Sequence, residues 1–283
     1  MKPRIALLSV LSLCLLLSAC SRNKDDAADD THTQAEAVAQ DDAGAQSEEA
    51  PPPPPPVMDY WKVVGPLVAG DYSGACMRKP DARKMEASVK VGADGKASSN
   101  GLEVDFRESK KTMLSRQRDA KGQYTAMALF SVDEQKGGML TVLSSRDGGK
   151  GAVNLERDDL GIMCSEVAGT DKLSAQPLYQ VLAALALGKK QTVSCVDTKN
   201  LLVRRDTEVE FSDGVLRIGD ASYAVKDALF ETYGFDDAGR SVSLGVGLPD
   251  KHNISLSFDG AGKLTGVMGL NERESTHSCE AKQ

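Results

Sequence analysis

Three residue types in this 283-residue chain could carry chemistry: six cysteines, three histidines and a few adjacent carboxylates. His32 lies among acidic residues. His252 closes a Pro249-Asp250-Lys251-His252 turn, and His277 stands two residues before Cys279. His277 with Glu272 or Glu274 would make an acid–base pair. Asp158-Asp159 and Asp236-Asp237 would be a carboxylate pair or a calcium ligand set, but neither has EF-hand spacing, and adjacent acids in Gly-bounded loops read as solvated turn residues. The cysteines are widely spaced without a C-x-x-C pair, which argues against zinc. There is no G-x-S-x-G elbow, P-loop, H-E-x-x-H or dinucleotide fingerprint. A net charge of −7 with 5% aromatic residues argues against nucleic acid. The sequence therefore offers no catalytic residue, metal site or cofactor.

The N-terminus supplies an address. Lys2 and Arg4 precede an apolar run from Ile5 to Leu17, which is too short to span a bilayer (about 20 residues) and suits a signal-peptide h-region. The run ends in Leu17-Ser18-Ala19-Cys20, which resembles the lipobox of bacterial lipoproteins. The resemblance covers residues 1–20. It implies removal of residues 1–19, lipidation of Cys20 on its thiol and amine (palmitate among the chains), and a body held in the cell envelope. In that family's sorting rule Asp after the cysteine retains the protein in the inner membrane, so Ser21 implies the outer membrane, facing the periplasm. Several acyl chains give the stable attachment that one cannot.

Residues 20–56 read as a lipidated cysteine followed by a disordered linker. Arg22 and Lys24 stand against nine acids from residue 21 to 56, a charge of −7, and Val38 is the one branched apolar residue. Pro51 to Pro56 extend as a polyproline II rod of roughly 19 Å. The segment reads as a spacer between membrane and body.

Residues 57–283 read as two β-rich domains, 57–172 and 173–283. Cys76 and Cys195 are 119 residues apart, and the same offset carries Asp94-Gly95 onto Asp213-Gly214 and Tyr60 onto Tyr179. Each half opens with an apolar, helical stretch, at 58–69 and 177–188, and ends in a cysteine, Cys164 or Cys279. Strands are expected at 85–91, 122–132, 138–144 and 151–156, then at 207–211, 214–218, 241–247, 253–258 and 263–270. Asp94-Gly95, Asp213-Gly214 and Asp259-Gly260 are the natural hairpin turns. The fold class is mainly β, two similar small antiparallel meanders, barrels or sandwiches, with a single barrel or sandwich as the alternative.

With Cys14 removed and Cys20 lipidated, four cysteines remain, an even number suited to an oxidising compartment. The repeat layout selects Cys76–Cys164 and Cys195–Cys279 among the three possible pairings. Trp61 beside Tyr60 is either a partner-facing anchor or core under the first domain.

Function is read as a non-catalytic binding or scaffolding lipoprotein with an envelope protein as its partner. One alternative is a cell-wall or lipid-processing enzyme. The other rests on Gly219-Asp220-Ala221-Ser222-Tyr223, within a domain stapled from first strand to last, which is similar to the membrane-bound lysozyme inhibitors. That resemblance implies inhibition of a lysozyme-like wall hydrolase. The family's Ser-Gly-x-x-Tyr is not present as such, nor is its later Trp-Gly motif.

Overall fold

The computed structural model describes residues 56–133, 137–144, 150–175, 177–179, 190–197 and 200–282. The lipobox, Cys14, Cys20, Ser21, His32 and the acidic linker lie outside these residues, as does 180–188 of the second expected helix. Among the described residues no helix is long and apolar enough to cross a membrane.

Helix α1 (Trp61–Val68) forms where sequence places apolar residues at helical spacing, and Trp61, Val64, Leu67 and Val68 are buried. The Tyr72 hydroxyl donates to the Val68 carbonyl at 2.7 Å, satisfying an acceptor at the end of the helix. Gly65 lets the helix close on the next turn, since a Cβ there would meet the Ala93 carbonyl oxygen at 2.3 Å. A short α2 (Lys172–Ala175) lies at the boundary between the halves and buries Leu173.

The strands of the first half are β1 (Gly70–Lys79), β2 (Arg83–Val91), β3 (Lys96–Ser99), β4 (Leu102–Asp105), β5 (Lys111–Arg118), β6 (Tyr124–Ser131), β7 (Met139–Leu143), β8 (Lys150–Arg157) and β9 (Leu160–Ala168). Those of the second are β10 (Gln191–Asp197), β11 (Asn200–Ser212), β12 (Val215–Ile218), β13 (Ala221–Ala224), β14 (Phe230–Asp236), β15 (Ser241–Gly247), β16 (His252–Asp259), β17 (Leu264–Asn271) and β18 (Glu274–Ala281).

All nine expected strand segments coincide with strands. Alternation explains why: β6 to β8 bury Ala126, Ala128, Phe130, Leu140, Val142, Val153 and Leu155 on one face, and β15 and β16 bury Val242, Leu244, Ile254, Leu256 and Phe258. Asp213 (φ 52°) and Gly214 (φ 74°) make the two-residue turn of β11 and β12, with both residues in the left-handed region that a type I′ hairpin requires.

Every ladder is antiparallel, and together they make one sheet. Its first half runs β4-β3-β2-β1-β9-β8-β7-β6-β5. β5 then pairs with β14, and the order continues β15-β16-β17-β18-β10-β11-β12-β13. The sheet rolls the first half over its own core, bringing β2, β3 and β4 back against β8.

The joining ladder is buried on its inner face by Thr112, Leu114 and Arg116 from β5 and by Glu231, Tyr233 and Phe235 from β14. A second tie is Tyr60, whose ring stacks on Phe235 at 4.4 Å while its hydroxyl shares a 2.9 Å hydrogen bond with Thr112. The main chain of Met58 donates to the Gly239 carbonyl at 3.0 Å. Residues of 57–172 thus pack directly into 173–283, and residues 52–283 form a single compact unit.

Both disulfides follow the connectivity that the layout selects. Cys76 and Cys164 stand opposite each other on β1 and β9, and Cys195 and Cys279 on β10 and β18. Each bridge links the first strand of a half to its last, across a ladder already formed by backbone hydrogen bonds.

Candidate functional site

The titratable groups that sequence holds far apart converge at one end of the second half. The Asp213-Gly214 turn and the β12–β13 hairpin fold Tyr223 over the sheet, where its ring is buried. Its hydroxyl lies 2.6 Å from Nε2 of His277 on β18. The His277 ring meets the Tyr223 ring edge-on at 5.8 Å, and His252, the first residue of β16, does the same at 5.3 Å. His252 Nδ1 is 3.0 Å from a carboxylate oxygen of Asp250, with no hydrogen bond between them. The hydroxyl of Thr276, the neighbour of His277, is buried beside the Tyr223 phenol.

Burial sets the protonation states. Loss of solvent pushes His277 below the ordinary imidazole range, and the nearby His252 adds to the fall. Burial also raises the Tyr223 phenol, with Asp250 raising it further and Thr276 opposing. At neutral pH a neutral phenol therefore faces a neutral imidazole across one short hydrogen bond.

His277 has Tyr223 as its partner, and the acid–base pair with Glu272 or Glu274 is not formed. Glu272 is ion-paired with Lys251 and Glu274 stands opposite Asn271 in the ladder. Around these lies an open depression between the ends of two hairpins, lined by Asp250, Lys251, Glu272 and Arg273. Asp158 (φ 55°) and Asp237 (φ 48°) occupy turns in the left-handed region. Among the described residues no group of three histidine, cysteine or acidic side chains is placed to hold a metal ion.

A second polar cluster lies at the joining ladder. Arg116 and Glu231 are registered opposite each other, with a guanidinium nitrogen 3.4 Å from the carboxylate. Arg116 also donates to the Ser174 carbonyl at 2.9 Å and lies over the Tyr124 ring at 3.4 Å. Glu231 accepts from the Tyr179 backbone amide at 3.2 Å and the Tyr233 hydroxyl at 3.3 Å. Burial raises the Glu231 carboxyl above the ordinary range despite the opposing effect of Arg116 and these donors. Both carboxylate oxygens of Glu231, and Nε and one terminal nitrogen of Arg116, have partners, and the cluster fastens the halves together.

The chain matches no family model, no curated protein and no solved structure. Its function must therefore be read from its own geometry. Tyr60 and Trp61 are both core: Trp61 stacks on Phe130 at 5.0 Å and donates from Nε1 to the Phe106 carbonyl at 3.0 Å. Inside the second half the apolar cavity between Tyr179, Phe211, Tyr233 and Leu256 measures about 20 Å³, room for about one water.

Sequence reasoning missed Tyr223, Arg116 and Glu231 as site residues. The signal at 116 and 231 is a charge on the inner face of an otherwise alternating strand, on two strands that must then meet. Tyr223 lies within the Gly219–Tyr223 segment, but nothing in its local sequence points to His277.

Proposed function

We propose that this protein is a lipid-anchored, non-catalytic binding or scaffolding module of the cell envelope, held to the outer membrane through Cys20 and working through the outer faces and hairpin ends of its sheet. The observation that carries this reading is the filled interior. Among the described residues, aromatic side chains pack inside the first half and the apolar cavity of the second has room for about one water, which favours a ligand met on the outside. Two disulfides support an oxidising compartment.

We also read residues 57–172 and 173–283 as two copies of one nine-stranded unit. Strands β3, β4 and β5 each begin 119 residues before β12, β13 and β14, the offset that separates Cys76 from Cys195. The strand order about the β5·β14 ladder is the same read in either direction. Leu114 and Tyr233, themselves 119 apart, face each other at its centre.

The test is crosslinking in intact cells followed by identification of what is bound, together with fractionation of a Cys20→Ser variant. Recovery of a defined envelope protein, and release of the variant from the membrane, is the expected result. Release without any crosslinked partner would overturn the binding role. Loss of lysozyme activity on adding the purified protein would favour the inhibitor reading instead.

A further inference from the structure

The ladder of β10 and β11 slips by three residues near its tip. Val196 stands opposite Arg204 but Asp197 opposite Asn200, so Leu201, Leu202 and Val203 have no opposite residue and bulge from the ladder. Asn200 holds the bulge: its side chain accepts the Leu202 amide at 3.2 Å, and its backbone amide donates to the Asp197 carboxylate at 3.3 Å. Leu202 is 95% exposed and Leu201 75%, ahead of every other large apolar side chain among the described residues, the next being Met268 at 58%. The first half has no such feature. Its β1–β2 ladder runs in register to Arg78 opposite Arg83, and Ala82 and Arg83 stand 119 residues before the two leucines. A hairpin of this kind therefore closes without exposed leucines, and they are not there to hold the fold.

Charge and size indicate what meets them. Around the bulge the described charges cancel in pairs: Arg204 with Glu280 at 3.0 Å, Arg205 with Asp197 at 3.3 Å, and Lys282 with Asp206 at 2.6 Å. The occupant is therefore apolar rather than charged. Stable protein interfaces bury about 1,200–2,000 Å², far more than two side chains supply. The hairpin ends at the same end of the sheet are polar, with Asp250, Lys251, Glu272 and Arg273, so no apolar surround enlarges the patch. A fluid acyl layer needs no matching surface and envelops a small apolar tip from every side.

We infer that the Leu201–Leu202 bulge dips into the acyl layer of the membrane that holds the protein and fixes how the body lies against it, which rests on the lipid anchor proposed at Cys20. The anchor retains the chain, and the tip orients it. Met58 bonds to Gly239 in the β14–β15 turn, at the opposite ends of the strands from the bulge. The 36 residues from Ser21 to Pro56 can span up to about 120 Å, against roughly 26 Å for an eight-residue strand such as β18. Both attachments can therefore reach one bilayer, with the strands lying along it.

The test uses the full lipidated chain in vesicles of phosphatidylethanolamine and phosphatidylglycerol, with one environment-sensitive dye on Leu202→Cys, attached after the disulfides have formed. Its emission is expected to shift to the blue on reconstitution. Lipids carrying a nitroxide high on the acyl chain should quench it at least twofold, at low and high salt alike. Adding Leu201→Asp to the same chain is expected to halve that quenching without moving the thermal transition. The same dye on Leu160→Cys, 53% exposed in the β8–β9 turn at the opposite ends of the strands, is expected to stay unquenched.

A dye at position 202 that emits as in water would overturn the inference. So would equal quenching at 202 and 160, which reports the dye's own affinity for lipid. A blue shift without vesicles that grows with protein concentration would assign the tip to a second copy of the chain and overturn it too. Cys20→Ser separates the anchor from the tip. Release of that variant from the membrane, with the 202 dye unquenched in the lipidated chain, overturns the tip contact alone. Retention of Cys20→Ser with the dye quenched keeps the tip contact and overturns the anchor.

Discussion

Arg116 and Glu231 meet across the β5·β14 ladder that joins the two halves, 115 residues apart in sequence and directly opposite in register. Each is an inward-pointing charge that would be untenable on its own strand. Paired, and with Ser174, Tyr179, Tyr233 and Tyr124 around them, they fix which strand edges combine and in which register.

Arg116→Met is expected to destabilise the protein by about 3 to 5 kcal/mol, because it leaves a buried carboxylate without its counter-charge. The loss should depend on pH. A raised folded-state pKa means that the folded protein holds the Glu231 proton more readily than the unfolded one, so stability declines as pH rises through the window above the ordinary carboxylate value. Removing Arg116 removes a lowering influence and widens that window. Urea titrations should therefore show a larger deficit at pH 8 than at pH 5, and an equal deficit would contradict the assignment.

His277 titrates in the opposite sense. Its folded-state pKa is depressed, so the unfolded chain binds the proton first and stability falls as pH drops below the ordinary imidazole value. The variant His277→Gln is expected to flatten the decline in thermal midpoint between pH 7 and pH 5. NMR titration should place the His277 midpoint below that of a free imidazole, and Tyr223→Phe should move it.

Breaking either disulfide should be costly. The closed loops span 88 and 84 residues, and chain entropy then gives about 4 to 5 kcal/mol for each as an upper figure. The pairs Cys76→Ser/Cys164→Ser and Cys195→Ser/Cys279→Ser should each lower the denaturation midpoint sharply. Their effects should be of similar size, since the loops are nearly equal.

Unfolding should be a single transition. Trp61, the one tryptophan, sits in the first half, yet its neighbour Tyr60 packs on Phe235 of the second, and the β5·β14 ladder is continuous. Trp61 emission and far-ultraviolet circular dichroism are expected to change at the same denaturant concentration. Two separated transitions would mean that the halves unfold independently.

Local sequence determined much of the fold. Alternating apolar residues in β6, β7, β8, β15 and β16 can bury only one face, and Asp213-Gly214 suits the turn that connects β11 and β12, so those elements were readable in short windows. The cysteine layout likewise indicated which strands close each half. Strands β5 and β14 were not readable, because Arg116 and Glu231 interrupt the apolar pattern at positions where each strand points inward. Only the tertiary structure supplies the opposite charge that makes those positions tolerable. The same holds for Tyr223, His252 and His277, whose convergence depends on a hairpin folding over a sheet edge. Short-range pattern decides what each strand buries; long-range register decides which charges and rings then meet.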